Sequence, residues 1–298
     1  MQFGHPFIQE EKTNMSKISI ITLLACCIIA ASCAQKRATV ATIKTNYGDM
    51  VAVLYDETPK HKENFIKLAK GHYYDSTLFH RVIKGFMIQG GDPDSKKAAP
   101  GAPLGHGGPG YTIDAEIVPK YFHEKGALSA ARLSDIQNPK KASNGSQFYI
   151  VQGRILDKEE MTLDQVKYDQ ALRKFFDNPA NKGAFDSLGA AYQSGNEEQF
   201  RTLFLALKPR VIKETGMDVS QTVAPEKLAI YSTVGGAPTL DGNYTVFGKV
   251  IKGLDVIDKI ADVQRDAAER PTSDVRMSVS VEELSQKEIR KRYGYDLP

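Results

Sequence analysis

Residues 79–93, FHRVIKGFMIQGGDP, decide how this chain is read. Two short apolar runs, 78–83 and 86–89, flank Lys84-Gly85, and Gly90-Gly91-Asp92-Pro93 ends them because glycine and proline interrupt strand pairing. Strand side chains alternate, so Met87 and Gln89 are predicted on one face and Phe86 and Ile88 on the other. A cation at Arg81 beside an apolar pocket and an amide suits an uncharged peptide better than a phosphate. Taken alone, the same pattern also describes an ordinary core hairpin with a solvated arginine.

On the N-terminal side of this stretch, apolar spacing over 40–54 predicts two strands joined at Asn46-Tyr47-Gly48-Asp49, a run of turn formers. Thr58-Pro59 predicts a helix start, with threonine as the cap and proline at the first helical position. Phe65, Ile66, Leu68 and Ala69 supply that helix's apolar face and Gly71 stops it. On the C-terminal side, 98–110 is a glycine- and proline-rich loop containing a formal G-x-G-x-x-G at 105–110. A dinucleotide site requires a strand immediately before that motif and a helix after it. Here Pro100 and Pro103 precede it and Tyr111-Thr112-Ile113 reads as extended, so nucleotide binding is not expected. Segments 126–131 and 147–151 read as two further strands. In the second, Gln147, Tyr149 and Val151 face one way and Phe148 and Ile150 the other. Apolar groups on both faces suit a barrel wall.

Between 153 and 235 the apolar period becomes helical. Segment 162–176 has a capping-box start at Thr162 and Gln165, and 196–207 carries Phe200, Leu203 and Leu207. This predicts an inserted α-helical segment, either a packing appendage or an arm that binds a partner or client. Strand character returns at 244–251 after the turn Leu240-Asp241-Gly242. A short helix at 254–260, a closing strand at 275–281 and a basic end at 287–292, read as solvated, complete the chain.

The 298 residues are 41% hydrophobic and 25% charged, ordinary for a globular protein, and a net charge of +3 does not argue for nucleic acid or an anionic membrane surface. The N-terminal end has another character. Met15-Ser16-Lys17 followed by the apolar residues 18–31 has the layout of a secretory signal, and an apolar run of about 14 residues is shorter than the roughly 20 that a span needs. Residues 1–14 read as an extension ahead of a second start methionine. Ala30-Ala31-Ser32-Cys33 resembles a bacterial lipobox, which implies lipidation of Cys33 and a membrane-anchored protein of the cell envelope or periplasm. Cys26, Cys27 and Cys33 are the three cysteines of the chain, so the part that follows has no thiol for a disulfide, a nucleophile or a metal site.

Three segments in register, FHRVIKGFMIQGGDP at 79–93, SNGSQFYIV at 143–151 and LDGNYTVFGKVIKGLDVIDKI at 240–260, together resemble the cyclophilin family of peptidyl-prolyl cis-trans isomerases. The resemblance covers 40–153 and 235–283. It implies a mainly β fold, a closed antiparallel cyclophilin-like barrel of about eight strands capped by two helices. The expected organisation is an extension and lipoprotein-type signal at 1–33, a linker at 34–39, a cyclophilin-like domain at 40–286 interrupted by the helical insertion at 154–234, and a basic tail at 287–298.

Position by position, the resemblance implies Arg81 as the catalytic arginine and Phe86, Met87, Tyr149 and Leu240 as the proline pocket. Gln89 and Gln147 become polar anchors, and Ala131 lines the adjoining groove. Three positions depart from the family pattern. Arg132 replaces an asparagine whose backbone binds substrate, a contact compatible with the change. Tyr244 replaces a histidine at the pocket rim. Thr239 stands where a tryptophan helps bind cyclosporin, which implies weak cyclosporin binding. The implied activity needs no metal, nucleotide or covalent intermediate, and its partners are proline-containing polypeptide clients. The alternative is a lipid-anchored chaperone or binding module with little isomerase activity. Neither a G-x-S-x-G elbow nor an H-E-x-x-H motif occurs and the six histidines are scattered, which argues against a hydrolase.

Overall fold

The computed structural model describes residues 1, 2, 4 and 36–297. The expected signal segment and the lipidation position Cys33 lie outside the described residues. The chain opens with the hairpin β1 (Arg37–Thr45) and β2 (Gly48–Leu54), turned at Asn46-Tyr47 where the Tyr47 amide donates to Thr45 Oγ1 at 3.0 Å. Helix α1 (Pro59–Lys70) follows, then β3 (Thr77–Ile83), β4 (Met87–Gly90), β5 (Thr112–Ile113), β6 (Ala127–Ala130), β7 (Ser143–Asn144) and β8 (Phe148–Val151). A helical stretch comes next: α2 (Lys158–Met161), α3 (Gln165–Phe176), α4 (Lys182–Gln193), α5 (Glu197–Ala206), α6 (Lys208–Thr215) and α7 (Pro225–Thr233). The chain ends with β9 (Val246–Lys252), α8 (Leu254–Ala261), β10 (Arg276–Ser285) and α9 (Gln286–Tyr293).

Eight strands close into a barrel in the order β1, β10, β3, β4, β8, β6, β9, β2, while β5 and β7 form a separate two-stranded sheet. The fold is therefore mainly β, a closed eight-stranded antiparallel barrel with several helices, as expected. A barrel of this size is just wide enough to be filled by side chains. Alternation puts Ile43, Met50, Ile88, Leu128, Phe148 and Ile150 into one core, to which α1 adds Phe65 and Leu68 and α8 adds Ile257 and Ile260. The opposite faces of β4, β6 and β8 present Met87, Ala127, Tyr149 and Val151 to a second apolar cluster outside that core. Each of these strands is thus buried on both faces, which explains their near-continuous apolar runs.

Compact packing runs from Ala38 to Glu283, and residues 284–297 belong to a separate unit. In the first unit, α3 and α6 share a small core of Tyr168, Leu172, Phe175 and Val211. In the other, the basic end is ordered as α9: Ser285 and Glu288 form a reciprocal capping box, Gly294 closes the helix in the left-handed region, and Arg290, Lys291 and Arg292 occupy its last turn. Cations there complement the helix dipole, so the charge run has a local role that its composition did not reveal.

Two expected caps differ. Thr58 Oγ1 donates to the Tyr55 carbonyl at 3.4 Å and makes no cap bond, so proline at the first helical position marks the start of α1. Thr162 ends α2, and Asp164, accepting from the Lys167 amide, caps α3 instead. An ionised carboxylate is at least as good a cap as a hydroxyl, and Asp164 directly precedes the first helical residue, Gln165.

Candidate active site

The pairing of β3 with β4 matches Arg81 with Gln89 and Val82 with Ile88, but slips between Phe79 and Arg81, leaving His80 as the extra residue of a bulge. A bulge bends its strand and re-aims the next side chain. Arg81 consequently stands exposed at the edge of a cleft of about 580 Å³ that Phe86, Met87, Gln89 and Tyr149 also line. That volume falls within the range of small-molecule and peptide-side-chain sites, roughly 300–1,000 Å³.

The polar side of the cleft is a directional chain. Gln147, 3% exposed, donates its amide protons to the carbonyls of Gly105 at 3.0 Å and Gly107 at 2.7 Å. Its oxygen must then accept, and Gln89 Nε2 donates to it at 3.0 Å. This turns Gln89 Oε1 toward Arg81, whose Nη1 donates to it at 3.2 Å. Two amides thus fix the guanidinium and leave its other donors for a substrate. The glycine-rich loop that resembled a nucleotide motif supplies the two carbonyls. Its own shape is set by Asp92, whose Oδ2 accepts from the Gly105 amide at 2.5 Å, and a Cβ at Gly107 would collide with that carboxylate.

The apolar side gathers Phe86, Met87, Ala131, Tyr149, Leu240 and Tyr244. Alternation predicted Phe86 opposite Met87, yet both reach the cleft. Phe86 lies in the turn before β4, where Gly85 has φ 77° and the Phe86 amide donates to the Ile83 carbonyl at 3.1 Å, so strand alternation does not yet apply. Arg132 and Tyr244, two of the three departures from the family pattern, meet each other: the guanidinium lies 4.3 Å from the ring centroid. Arg132 is also pinned through Nε to the Asn243 carbonyl at 2.9 Å and through Nη1 to Asp135 at 2.6 Å. A charge so held, with its side chain 4% exposed, forms wall and not a second free cation. Tyr244 in turn packs edge-on against Tyr149, centroids 5.9 Å apart. Thr239 is exposed in the 3-10 turn Pro238–Leu240.

The family described as "Cyclophilin type peptidyl-prolyl cis-trans isomerase/CLD" matches residues 40–168 and 223–281, well over half of the chain. The chain belongs to the cyclophilin family. A Staphylococcus epidermidis protein provisionally named a peptidyl-prolyl cis-trans isomerase is 32% identical over 244 residues, covering 80% of this chain and 89% of its own. A Streptococcus pyogenes protein provisionally named a bifunctional phosphatase/peptidyl-prolyl cis-trans isomerase is 30% identical over 78% of this chain, which spans 36% of that protein's length. Peptidyl-prolyl cis-trans isomerase A of Mycobacterium tuberculosis is 38% identical over 130 residues, 38% of this chain and 64% of that one.

In this cyclophilin the bulge residue His80 is 4% exposed, and neither ring nitrogen has a hydrogen-bond partner among the described residues. Burial pushes its pKa down to about 4, against the pull of the nearby Asp92 carboxylate. The unfolded chain therefore takes up a proton near pH 6.5 that the folded one refuses, so the contribution of His80 to stability falls as pH drops from 6.5 to about 4 and then levels. The expected loss over that window is about 3 kcal/mol. Urea unfolding across it checks this, with His80→Asn as control: equal pH slopes in the two proteins would overturn the assignment to His80.

A second polar chain lies elsewhere in the cyclophilin domain. His61 on α1 bonds Glu116 through Nδ1 at 2.7 Å and Ser143 Oγ through Nε2 at 2.9 Å. This is the connectivity of a nucleophilic triad, which the scattered histidines gave no reason to expect. Ser143 is 1% exposed, however, and the adjoining cavity of about 10 Å³ admits no substrate, so the chain serves to tie α1 to β7. The carbonyls of Gly105 and Gly107 lie at no telling spacing from Arg81, and His80, although adjacent to it, gains its place only through the bulge, a pairing slip that the sequence does not mark.

Proposed function

We propose that this cyclophilin accelerates X-Pro isomerisation in exported or envelope polypeptides by a non-covalent, arginine-assisted mechanism. The peptide bond resists rotation by roughly 18–20 kcal/mol because the nitrogen lone pair is conjugated with the carbonyl, whereas the cis and trans ends of an X-Pro bond differ by only about 0.5–1 kcal/mol. Catalysis therefore has to lower the twisted state alone. Phe86, Met87, Tyr149 and Leu240 hold the proline ring, Gln89 anchors the adjoining backbone while Gln147 holds Gln89 in place from behind, and Ala131 and Arg132 border the groove for the preceding residues. Tyr244 closes the rim. Arg81 then donates to the prolyl carbonyl and toward the nitrogen as it pyramidalises and regains its lone pair. No cofactor takes part.

The observation that carries this reading is the Gln147–Gln89–Arg81 chain, which holds a permanently charged fork in one orientation beside an apolar pocket. A proline-limited peptide assay tests it: no acceleration over the spontaneous rate by the full chain would overturn it. Cyclosporin added to the same assay should change the rate little, because Thr239 lacks the aromatic surface of tryptophan.

The compartment follows from the N-terminal sequence. Cys33, lipidated, becomes the first residue of a membrane-anchored envelope protein. Mass spectrometry of the protein from a host that processes lipoproteins should find an acylated N-terminal Cys33; an unmodified residue preceding it would remove the anchor.

A further inference from the structure

Asp241 follows the pocket residue Leu240 and receives a convergence of donors from two directions. From the barrel side, the His123 amide donates to Oδ1 at 2.9 Å and His123 Nδ1 lies 3.0 Å from the same oxygen. From α7, the Tyr231 hydroxyl lies 2.8 Å from Oδ1 and 2.9 Å from Oδ2, and Lys227 Nζ is 2.8 Å from Oδ2. On its far side His123 Nε2 lies 3.0 Å from the Tyr149 hydroxyl. His123 and Tyr231 are 0% exposed and Tyr149 is 5% exposed. A carboxylate can only accept, so Nδ1 carries a proton, and Nε2 pairs with the Tyr149 hydroxyl. The chain from α7 to the pocket floor is thereby continuous.

We infer that Lys227 and Tyr231 are positioning residues for the proline pocket, acting through Asp241 and His123 on Tyr149 and Leu240. The inference rests on the isomerase reading above. A carboxylate with its side chain 10% exposed is costly unless it is paired and hydrogen-bonded, and α7 supplies the cation and one of the donors. Asp241 so held fixes both the imidazole that orients Tyr149 and the backbone turn that presents Leu240. The turn is closed by the Ala237 amide on the His123 carbonyl at 2.8 Å and by the Leu240 amide on the Ala237 carbonyl at 3.1 Å. Helix α7 thus completes a wall of the site, whatever the helices before it do.

The pocket grips proline in the planar and twisted states alike, so loosening it weakens uniform binding and raises KM more than it lowers kcat. Tyr231→Phe keeps the ring and removes only the hydroxyl; Lys227→Met keeps the stem and removes the charge. The double variant of the full chain is expected to show KM for an X-Pro peptide raised about fivefold, a change typical of a lost hydrogen bond, with kcat altered less than about twofold. Lys227→Arg, which keeps the charge, should retain the wild-type KM. An active wild type with unchanged KM in the double variant overturns this inference alone, as does a kcat loss that merely follows a fall in melting temperature. An inactive wild type removes the isomerase reading and this inference with it.

Discussion

Replacing Arg81 by alanine is expected to lower kcat/KM for an X-Pro peptide by roughly 10²- to 10³-fold, the usual loss when one preorganised donor to a developing charge is removed. The fold should tolerate the change. Arg81 is exposed, its strand partners bond through backbone, and its side-chain bond among the described residues is to Gln89, which remains held by Gln147. The melting temperature should therefore stay within about 2 °C, in keeping with surface substitutions that shift stability by about 0.5 kcal/mol or less. Lysine at this position restores the charge without the planar fork, and only part of the rate should return. Equal rates for wild type and Arg81→Ala would leave the cleft a binding site without the proposed chemistry, the expectation of the chaperone alternative.

The second large effect is on stability. Phe148→Ala is expected to cost about 3–5 kcal/mol, because truncating a buried phenylalanine loses both transfer energy and packing against the cavity left behind. Phe148 is 1% exposed and meets Phe65, Tyr74 and Phe79 near edge-on, with centroids 5.5, 5.6 and 6.2 Å away. Those rings come from α1, the segment after it and β3, so the loss is shared by several elements. A fall in melting temperature on the order of 10 °C should accompany it. Calorimetry or thermal circular dichroism measures this directly, and a fall of under about 2 °C would mean that the aromatic cluster is not the centre of the core. Because Phe148 lies between Gln147 and Tyr149 at the start of β8, residual activity should decline at a lower temperature than in the wild type.

Much of the barrel was legible beforehand because strand side chains alternate over short distances. Tyr149 and Val151 join the outer apolar cluster and Phe148 and Ile150 the barrel core, as their spacing predicts. Where that logic failed, a local backbone event intervened: the turn at Gly85 carries Phe86 to the same side as Met87, and the slip at His80 sets the aim of Arg81. The helix start at Thr58-Pro59 is where the spacing puts it, although Thr58 makes no cap bond, whereas the start expected at Thr162 moves to Asp164. Several residues near that second boundary can cap a helix, and the choice is made by whichever side chain reaches the free amides.

What the amino-acid sequence determined by itself was the closed barrel, its family and the identities of the groups around Arg81, since period, turn residues and three motifs in register are properties of neighbouring positions. What only the tertiary structure decided was how those groups are held. Gly105 and Gly107 orient Gln147, Arg132 stacks on Tyr244, and Lys227 and Tyr231 reach Tyr149 through Asp241 and His123. These links span sequence separations from 10 to 118 positions, and hydrogen bonds of fixed direction form only after the chain has folded and excluded the water that would otherwise satisfy them.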